Sequence, residues 1–354
     1  MAYEILLHSK TQNAFAAYAT RLRDEGIAAA GKYVSARLQA IDITSVDAMQ
    51  ALTQLINTKK PRYFAESEVC GDGSDWTLEE LSLLGGIGVA TPVTVYDDGT
   101  HRNPLAHAKP FEATLLFIAG ALLRNGRGKT PADWDLVVKN GDVDDELFLE
   151  LYESRLFPAL KFASDQAEKL GARAFITIPG VGCGQFAGRF QGRLATRFRS
   201  MLIALLSRHS SDLTSVAAMY FDPYSECSSD TQKIGGFSFR TRPLLKTASP
   251  KPQLLRPIEY EESGDDFSDC VLFSVVAWDH VSWPGNDFYV GMRSTDDGVK
   301  AAATSAMTSM TGFSGRYDER SNCYVPDNGY QNWEDVVVQN SIQINTTGNV
   351  HVYG

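Results

Sequence analysis

Apolar residues recur at helical spacing through residues 11–40. They recur again over 44–56, behind Thr44 and Ser45, and together they predict amphipathic N-terminal helices. The pattern lapses over 61–110, where Gly85, Gly86, Gly88 and the turn Asp97-Asp98-Gly99 predict irregular chain. The continuous apolar run Ala113 to Ala119 predicts a buried strand. Helical periodicity over 143–170 leads into the apolar run Ala174–Ile178, which meets a glycine loop, Pro179 to Gln185. A helix with several arginines follows to about Ser207, then a strand, Ser215–Phe221, ending in Asp222-Pro223-Tyr224. Residues 247–266 are Pro-rich and acidic and make the best linker candidate. Beyond them the apolar run Val271–Ala277 stops at a loop rich in Trp, Pro, Gly, Asn and Asp. An alanine-rich helix is expected over 298–311, and the tail from Gly312 reads as loops with short strands. Strands alternating with helices predict an α/β layered fold with a mainly parallel sheet.

Composition narrows the function classes. The 354 residues are 44% hydrophobic and 21% charged, enough for one large domain or two small ones. The net charge of −10 provides no basic footprint, which argues against a duplex nucleic-acid partner. It leaves room for a compact anion, because backbone N–H groups bind phosphate without lysines. Cysteines 70, 183, 227, 270 and 323 are odd in number and form no CxxC pair, so neither a disulfide framework nor a zinc knuckle is expected. No basic n-region with a long apolar core opens the chain, and the run Ala113–Leu123 is too short to span a bilayer. The expectation is a protein of a reducing cytosol, the host's cytosol if it is an exported effector, with no membrane partner.

Two loops carry candidate chemistry. Gly180-Val181-Gly182-Cys183-Gly184 lies between a strand and a helix, where glycines allow close backbone approach to a phosphate. Gly182-x-Gly184-x-x-Ala187 fits a loosened dinucleotide fingerprint. A dinucleotide domain needs an acid about 20 residues on; the next strand ends at Asp222, about twice as far. A Walker loop is ruled out because Leu123 stands where its first glycine must be, ahead of Gly128-Lys129-Thr130. The second loop holds Asp279, Asp287 and Asp297. Three carboxylates on one loop are costly unless they meet solvent, a cation or sugar hydroxyls. Plainer roles compete with chemistry: an Asx turn for Asp279, a solvated turn for Asp287, and an N-cap for Asp296 or Asp297. Trp283 fits core packing as well as ligand contact, and Phe186 and Tyr224 suit stacking on ribose or adenine as well as core. His280 adjoins Asp279, but neighbours on an extended segment point to opposite sides, which argues against a dyad. Cys183 has no identifiable histidine partner.

The run Ala174 to Gly188 resembles the diphosphate-binding strand and loop of macrodomains, which bind ADP-ribose, and Val275 to Gly291 resembles the second ligand loop of that fold. The spacing of Asp279, Asp287 and Asp297 is similar to that of the MavL-type effector macrodomains of Legionella, which remove ADP-ribose from proteins. The likeness spans residues 270–312 most fully and 172–226 next. The chain lacks the Asn-Ala-Ala-Asn segment and the Gly-Gly-Gly-Val loop of ordinary macrodomains, and its acid loop follows its diphosphate loop, an order that a permuted connection would explain. The resemblance implies a three-layer α/β/α macrodomain-like fold over 61–354, behind an N-terminal helical segment, 1–60. It implies Asp279, Asp287 and Asp297 as catalytic. It implies Gly180, Val181, Gly182, Cys183, Gly184, Gln185, Phe186, Asp222, Tyr224, Trp283 and Asn286 as substrate contacts, with no cofactor. The substrate would be an ADP-ribosylated protein, with an arginine linkage and ubiquitin among the cases the resemblance allows.

The chemistry agrees with a hydrolase on separate grounds. Releasing ADP-ribose breaks a glycosidic bond through a positively charged, oxocarbenium-like transition state, which carboxylates stabilise. Three rivals share some of these features: a binding module without turnover, a hydrolase whose clustered Asp hold Mg²⁺, and a dinucleotide oxidoreductase.

Overall fold

The computed structural model describes residues 1–247 and 249–354, and a nine-stranded sheet runs through its centre. In chain order the strands are β1 (Glu4–His8), β2 (Gly88–Asp97), β3 (Ala106–Ala119), β4 (Arg173–Pro179), β5 (Val216–Asp222), β6 (Asp230–Ile234), β7 (Phe237–Thr241), β8 (Cys270–Trp278) and β9 (Val350–Tyr353). Their order across the sheet is β9-β1-β2-β3-β8-β4-β5-β7-β6. Five neighbours, β3-β8-β4-β5-β7, are mutually parallel; β2 and β6 run antiparallel to their partners. The sheet is mixed and mainly parallel, and the class is α/β.

The main helices are α1 (Ser9–Glu25), α2 (Ala48–Ile56), α3 (Leu78–Gly85), α4 (Asp145–Lys169), α5 (Leu194–Arg208) and α6 (Asp296–Ala303). Alternation along the strands sorts the core into two layers. Leu272 and Val276 of β8 pack with α1, α2 and α6, whereas Phe273 and Val275 pack on the other face with α4 and α5. Both faces are therefore covered, as the near-continuous apolar runs of the central strands require.

The pairing of β8 with β4 matters most for function. Cys270 to Ser274 lie in parallel register with Arg173 to Thr177, and Thr177 Oγ1 donates to Ser274 Oγ across the pair (2.8 Å). Two strands nearly a hundred residues apart thus end side by side, and the loops that leave their carboxyl ends face each other.

Several sequence expectations need correction. Residues 1–60 hold a sheet strand, β1, as well as helices. The stretch 61–110 contains α3, all of β2 and the start of β3; Asp97-Asp98-Gly99 lies at a hairpin between the two strands. Pro92 obscured β2, but it lies beyond the Gly88–Ala90 segment that pairs with β1, where no partner needs its missing N–H. Residues 230–241 form the hairpin of β6, which is mostly polar, and β7, whose alternation of Phe with polar residues spans only five positions. The candidate linker 247–266, of which Ala248 lies outside the described residues, is anchored to the core by buried Leu254 and Tyr260, Tyr260 stacking on Phe175 at 4.7 Å. The expected helix 298–311 is broken into 296–303 and 306–311 at Thr304 and Ser305, and the tail includes a short helix, Trp333–Gln339.

Candidate functional site

The glycine loop is built for close approach. Tyr152 of α4 donates to Val181 O (2.7 Å) and accepts from Ala121 N (3.0 Å), tying the loop to the end of β3. Gly182 sits at φ +77°, and a Cβ there would lie 2.6 Å from Tyr152 Oη and 2.9 Å from Ala121 N. Its glycine is needed for packing and for backbone conformation. Gly184 differs: a Cβ would meet nothing within 4 Å. Among the described residues, the N–H groups of Gly180 and Gly184 have no protein acceptor.

Opposite this loop stands the acid loop. Together they bound a cleft of about 400 Å³, lined on one side by Gly180, Gly182, Gly184, Gln185 and Phe186, on the other by Trp278, Asp279, Asn286 and the run Ser294 to Asp297. Phe64 and Glu66 close a third side. Among the described residues no lysine, arginine or histidine lines it. Phosphates there would meet backbone N–H groups rather than side-chain cations.

The three aspartates have different surroundings. Asp279 Oδ1 accepts from Val281 N (2.6 Å) and Ser282 N (2.8 Å), and its Oδ2 accepts from Ala65 N (2.9 Å). It organises the loop turn, pins the segment bearing Phe64 and Glu66, and still edges the cleft. Asp287 is completely buried behind the cleft wall. Its Oδ2 accepts from Ser294 N (2.8 Å) and Thr295 N (3.2 Å), and both hydroxyls of that pair also donate to it. The solvated turn considered for it is therefore not what forms. Asp297 is 1% exposed, lines the cleft, and has one oxygen, Oδ2, without a partner. The N-cap of α6 is Thr295, whose Oγ1 accepts from Gly298 N (3.0 Å).

Thr295 also couples two of the acids. Its Oγ1 contacts Asp287 and lies 2.6 Å from Asp297 Oδ1. One hydroxyl has one hydrogen, so it cannot donate to both carboxylates. The arrangement closes if Asp297 is protonated and donates to Thr295. Burial, followed by the nearby charges of Asp287, Asp279 and Asp296, pushes the Asp297 pKa well above the usual carboxylate range. Asp296, missed as a site residue by the sequence reading, faces the cleft beside it. Its Oδ2 accepts from Ala277 N (2.8 Å) and lies 3.3 Å from the buried Lys300 ammonium.

Other expected residues are placed as follows. Asn286 lines the cleft at φ +24°, a strained backbone position, with Oδ1 unpartnered. Gln185 and Phe186 line it too. Trp283 lies in the core with Nε1 donating to Lys59 O (3.2 Å), away from the cleft wall. The side chains of Val181 and Cys183 are buried in the core beneath the loop. Asp222 is buried at the end of β5, accepting from Tyr224 N (2.7 Å) and Leu244 N (2.9 Å), and Tyr224 is 58% exposed; neither lines the cleft. His280 points away from the cleft into a buried network: its Nε2 is 3.0 Å from Asp133 Oδ2, and Asp133 is bridged by Arg155 at 2.7 Å. Burial, opposed by the Asp133 carboxylate, lowers the His280 pKa. Lys59 lies beneath the loop, 4.0 Å from the centre of the Trp278 ring, donating to the carbonyls of Asp279 and His280; burial drags its pKa down to about 7. No local pattern marks Phe64, Glu66, Lys59, Asp133 or Arg155, which reach the site only through the fold. The sequence marks a helix start here but sets it at 298 with Asp296 or Asp297 as cap; the helix begins at Asp296 and Thr295 caps it.

The packing around Asp287 gives a direct test. A Cβ at Gly298 would collide with Asp287 Oδ1. Gly298→Ala should therefore displace the loop without deleting any acid. The expected result is a thermal midpoint lowered by a few degrees, with the protein still folded by circular dichroism. An unchanged midpoint would show that the loop accommodates the added methyl group.

No curated protein matches the chain. A family model does, described as "Macrodomain effector MavL", and it matches residues 3–330. That span includes both loops and the N-terminal lip of the cleft, and the macrodomain it describes implies an ADP-ribose-related function. The chain belongs to the MavL family of macrodomain effectors.

Proposed function

We propose that the chain hydrolyses the bond joining ADP-ribose to a protein side chain. The observation that carries this reading is the pair of neighbouring acids in one cleft. Asp297 is buried, with its pKa raised and one oxygen left without a partner, and Asp296 lies beside it, 3.3 Å from the Lys300 ammonium. A buried acid that holds its proton, next to a second carboxyl group in one cleft, is the arrangement acid and base roles require. The diphosphate would lie against Gly180 and Gly184, with the distal ribose toward Asn286 and the acids.

The step then balances as follows. A water adds its oxygen to the anomeric carbon of the distal ribose and gives a proton to the Asp296 carboxylate. The bond to the side-chain nitrogen breaks, and that nitrogen takes a proton from Asp297, whose carboxyl turns its O–H from Thr295 into the cleft. The proton on Asp296 returns to Asp297 through solvent. Asp279 and Asp287 hold the loop in place, and Asp279 adds negative charge beside the positive transition state. An arginine linkage suits a cleft with four carboxylates and no side-chain cation. Ubiquitin as carrier, and a host cytosol as location, rest on the likeness to effector macrodomains.

The test uses proteins ADP-ribosylated at known linkages, with detection of released ADP-ribose. Release from arginine-linked substrate is expected. Free ADP-ribose at millimolar concentration should also raise the thermal midpoint, because it binds only the folded state. A thermal shift without release would favour the binding-module reading, for which the full engagement of Asp279 and Asp287 by the protein itself speaks. Among the described residues no three His, Cys, Asp or Glu side chains are grouped to hold a metal ion, and a chelator separates the metal-dependent alternative from this reading. A chelator should leave release unchanged.

A further inference from the structure

The cleft has a wall that neither ligand loop supplies. Phe64 and Glu66 belong to the N-terminal half of the chain, and two hydrogen bonds hold their segment in place. Ala65 N donates to Asp279 Oδ2 (2.9 Å) and Gly126 N donates to Glu66 O (2.8 Å). The carboxylate of Glu66 forms no salt bridge among the described residues. Arg124, a cation near enough to lower its pKa, donates to Gln185 Oε1. Beyond its own backbone N–H, this half-buried carboxylate has no side-chain partner holding it among the described residues, and with Asp279 nearby a visiting positive group would be favourable there.

The neighbouring aromatic narrows what that visitor is. Phe64 already accepts a guanidinium on its ring: Arg62 lies 5.5 Å from the ring centre. An aromatic face next to an unpaired carboxylate is a guanidinium receptor, offering stacking and charge-assisted hydrogen bonds together. The unpartnered Oδ2 of buried Asp297 opens into the same cleft, so a ligand group is missing on that side too. We propose that Glu66, with Phe64, is the specificity-determining site for the leaving group, gripping the guanidinium of an ADP-ribosylated arginine as its ribose lies against the acid loop. This rests on the hydrolase reading for its catalytic consequence, but the grip itself is a binding property. Burial and the nearby Asp279 raise the Glu66 pKa, and an incoming guanidinium would reverse that.

The test separates the two ideas. In the full chain carrying Asp297→Asn to block turnover, the affinities of ADP-ribosyl-arginine and of free ADP-ribose are measured by calorimetry. The arginine adduct should bind at least about tenfold tighter, the scale of one charge-assisted hydrogen bond. Adding Glu66→Gln should remove that excess while leaving the affinity for free ADP-ribose unchanged. In the active protein Glu66→Gln should raise KM for arginine-linked substrate with less effect on kcat. If ADP-ribosyl-arginine binds no tighter than ADP-ribose, or keeps its excess in Glu66→Gln, the proposal is overturned. If Glu66→Gln weakens both ligands equally, Glu66 holds ADP-ribose itself and the proposal is likewise overturned. The hydrolase reading fails separately, through absence of release by the unmodified protein.

Discussion

Asp297→Asn is expected to slow release of ADP-ribose by at least about a hundredfold, the scale of a positioned general acid. The amide keeps the size of the side chain and can still donate to Thr295, but it has no proton to give to the leaving nitrogen. Affinity for free ADP-ribose should change little, since the backbone contacts at Gly180 and Gly184 remain. A pH profile sharpens the test. Asp297 must be protonated to act, so turnover should fall as pH rises through its raised pKa, and that limb should vanish in the Asn variant. Stability carries the same signature. The folded state binds this proton where the unfolded chain, with an ordinary carboxyl near pH 4, has released it. Fewer protons bound in the unfolded state means that stability falls as pH rises from about 4 up to the folded pKa. Asp297→Asn removes that slope, so the variant should gain stability over the parent on going from pH 4 to pH 7. A variant with parental turnover, or a thermal midpoint that tracks the parent across this range, would mean that Asp297 is an ordinary ionised residue.

The two ligand loops were legible because each is a local event: an apolar strand stopped by glycine or by Pro-Gly-Asn-Asp. Their meeting was not, because it depends on β8 inserting between β3 and β4, a pairing of residues nearly a hundred apart. The strands that escaped reading did so for separate reasons. β2 carries Pro92 where its edge is free, β6 is mostly polar, and β7 alternates Phe with polar residues over only five positions. Residues 247–266 read as a linker because their anchors, Leu254 and Tyr260, are sparse among prolines and acids. In the site itself, spacing singled out Asp279, Asp287 and Asp297 alike. Only the hydrogen-bond geometry sorts them, with Asp279 and Asp287 saturated by donors from the chain and Asp297 left with a free oxygen beside Asp296. Glu66 carries no local pattern, since what distinguishes it is an absent partner.

Gly184→Glu is expected to abolish ADP-ribose binding with the fold intact, and Gly182 is the wrong glycine for that experiment. Both belong to the same loop and both line the cleft. At Gly182 a side chain would strike Tyr152 Oη and the backbone of Gly120 and Ala121, and the φ of +77° adds strain. Gly182→Ala should therefore cost stability, on the order of 1–3 kcal/mol, and loss of binding there would not show where the ligand lies. At Gly184 a Cβ would meet nothing within 4 Å, and the residue itself lines the cleft. A glutamate there fills the volume a diphosphate would need and sets a negative charge against it. Calorimetry should find no binding of ADP-ribose, while the thermal midpoint without ligand stays close to that of the parent. Gly184→Ala, smaller and uncharged, should weaken binding only partly. If Gly184→Glu folds and binds ADP-ribose as the parent does, the diphosphate does not lie on the glycine loop, and the orientation that directs the distal ribose toward Asp296 and Asp297 falls with it.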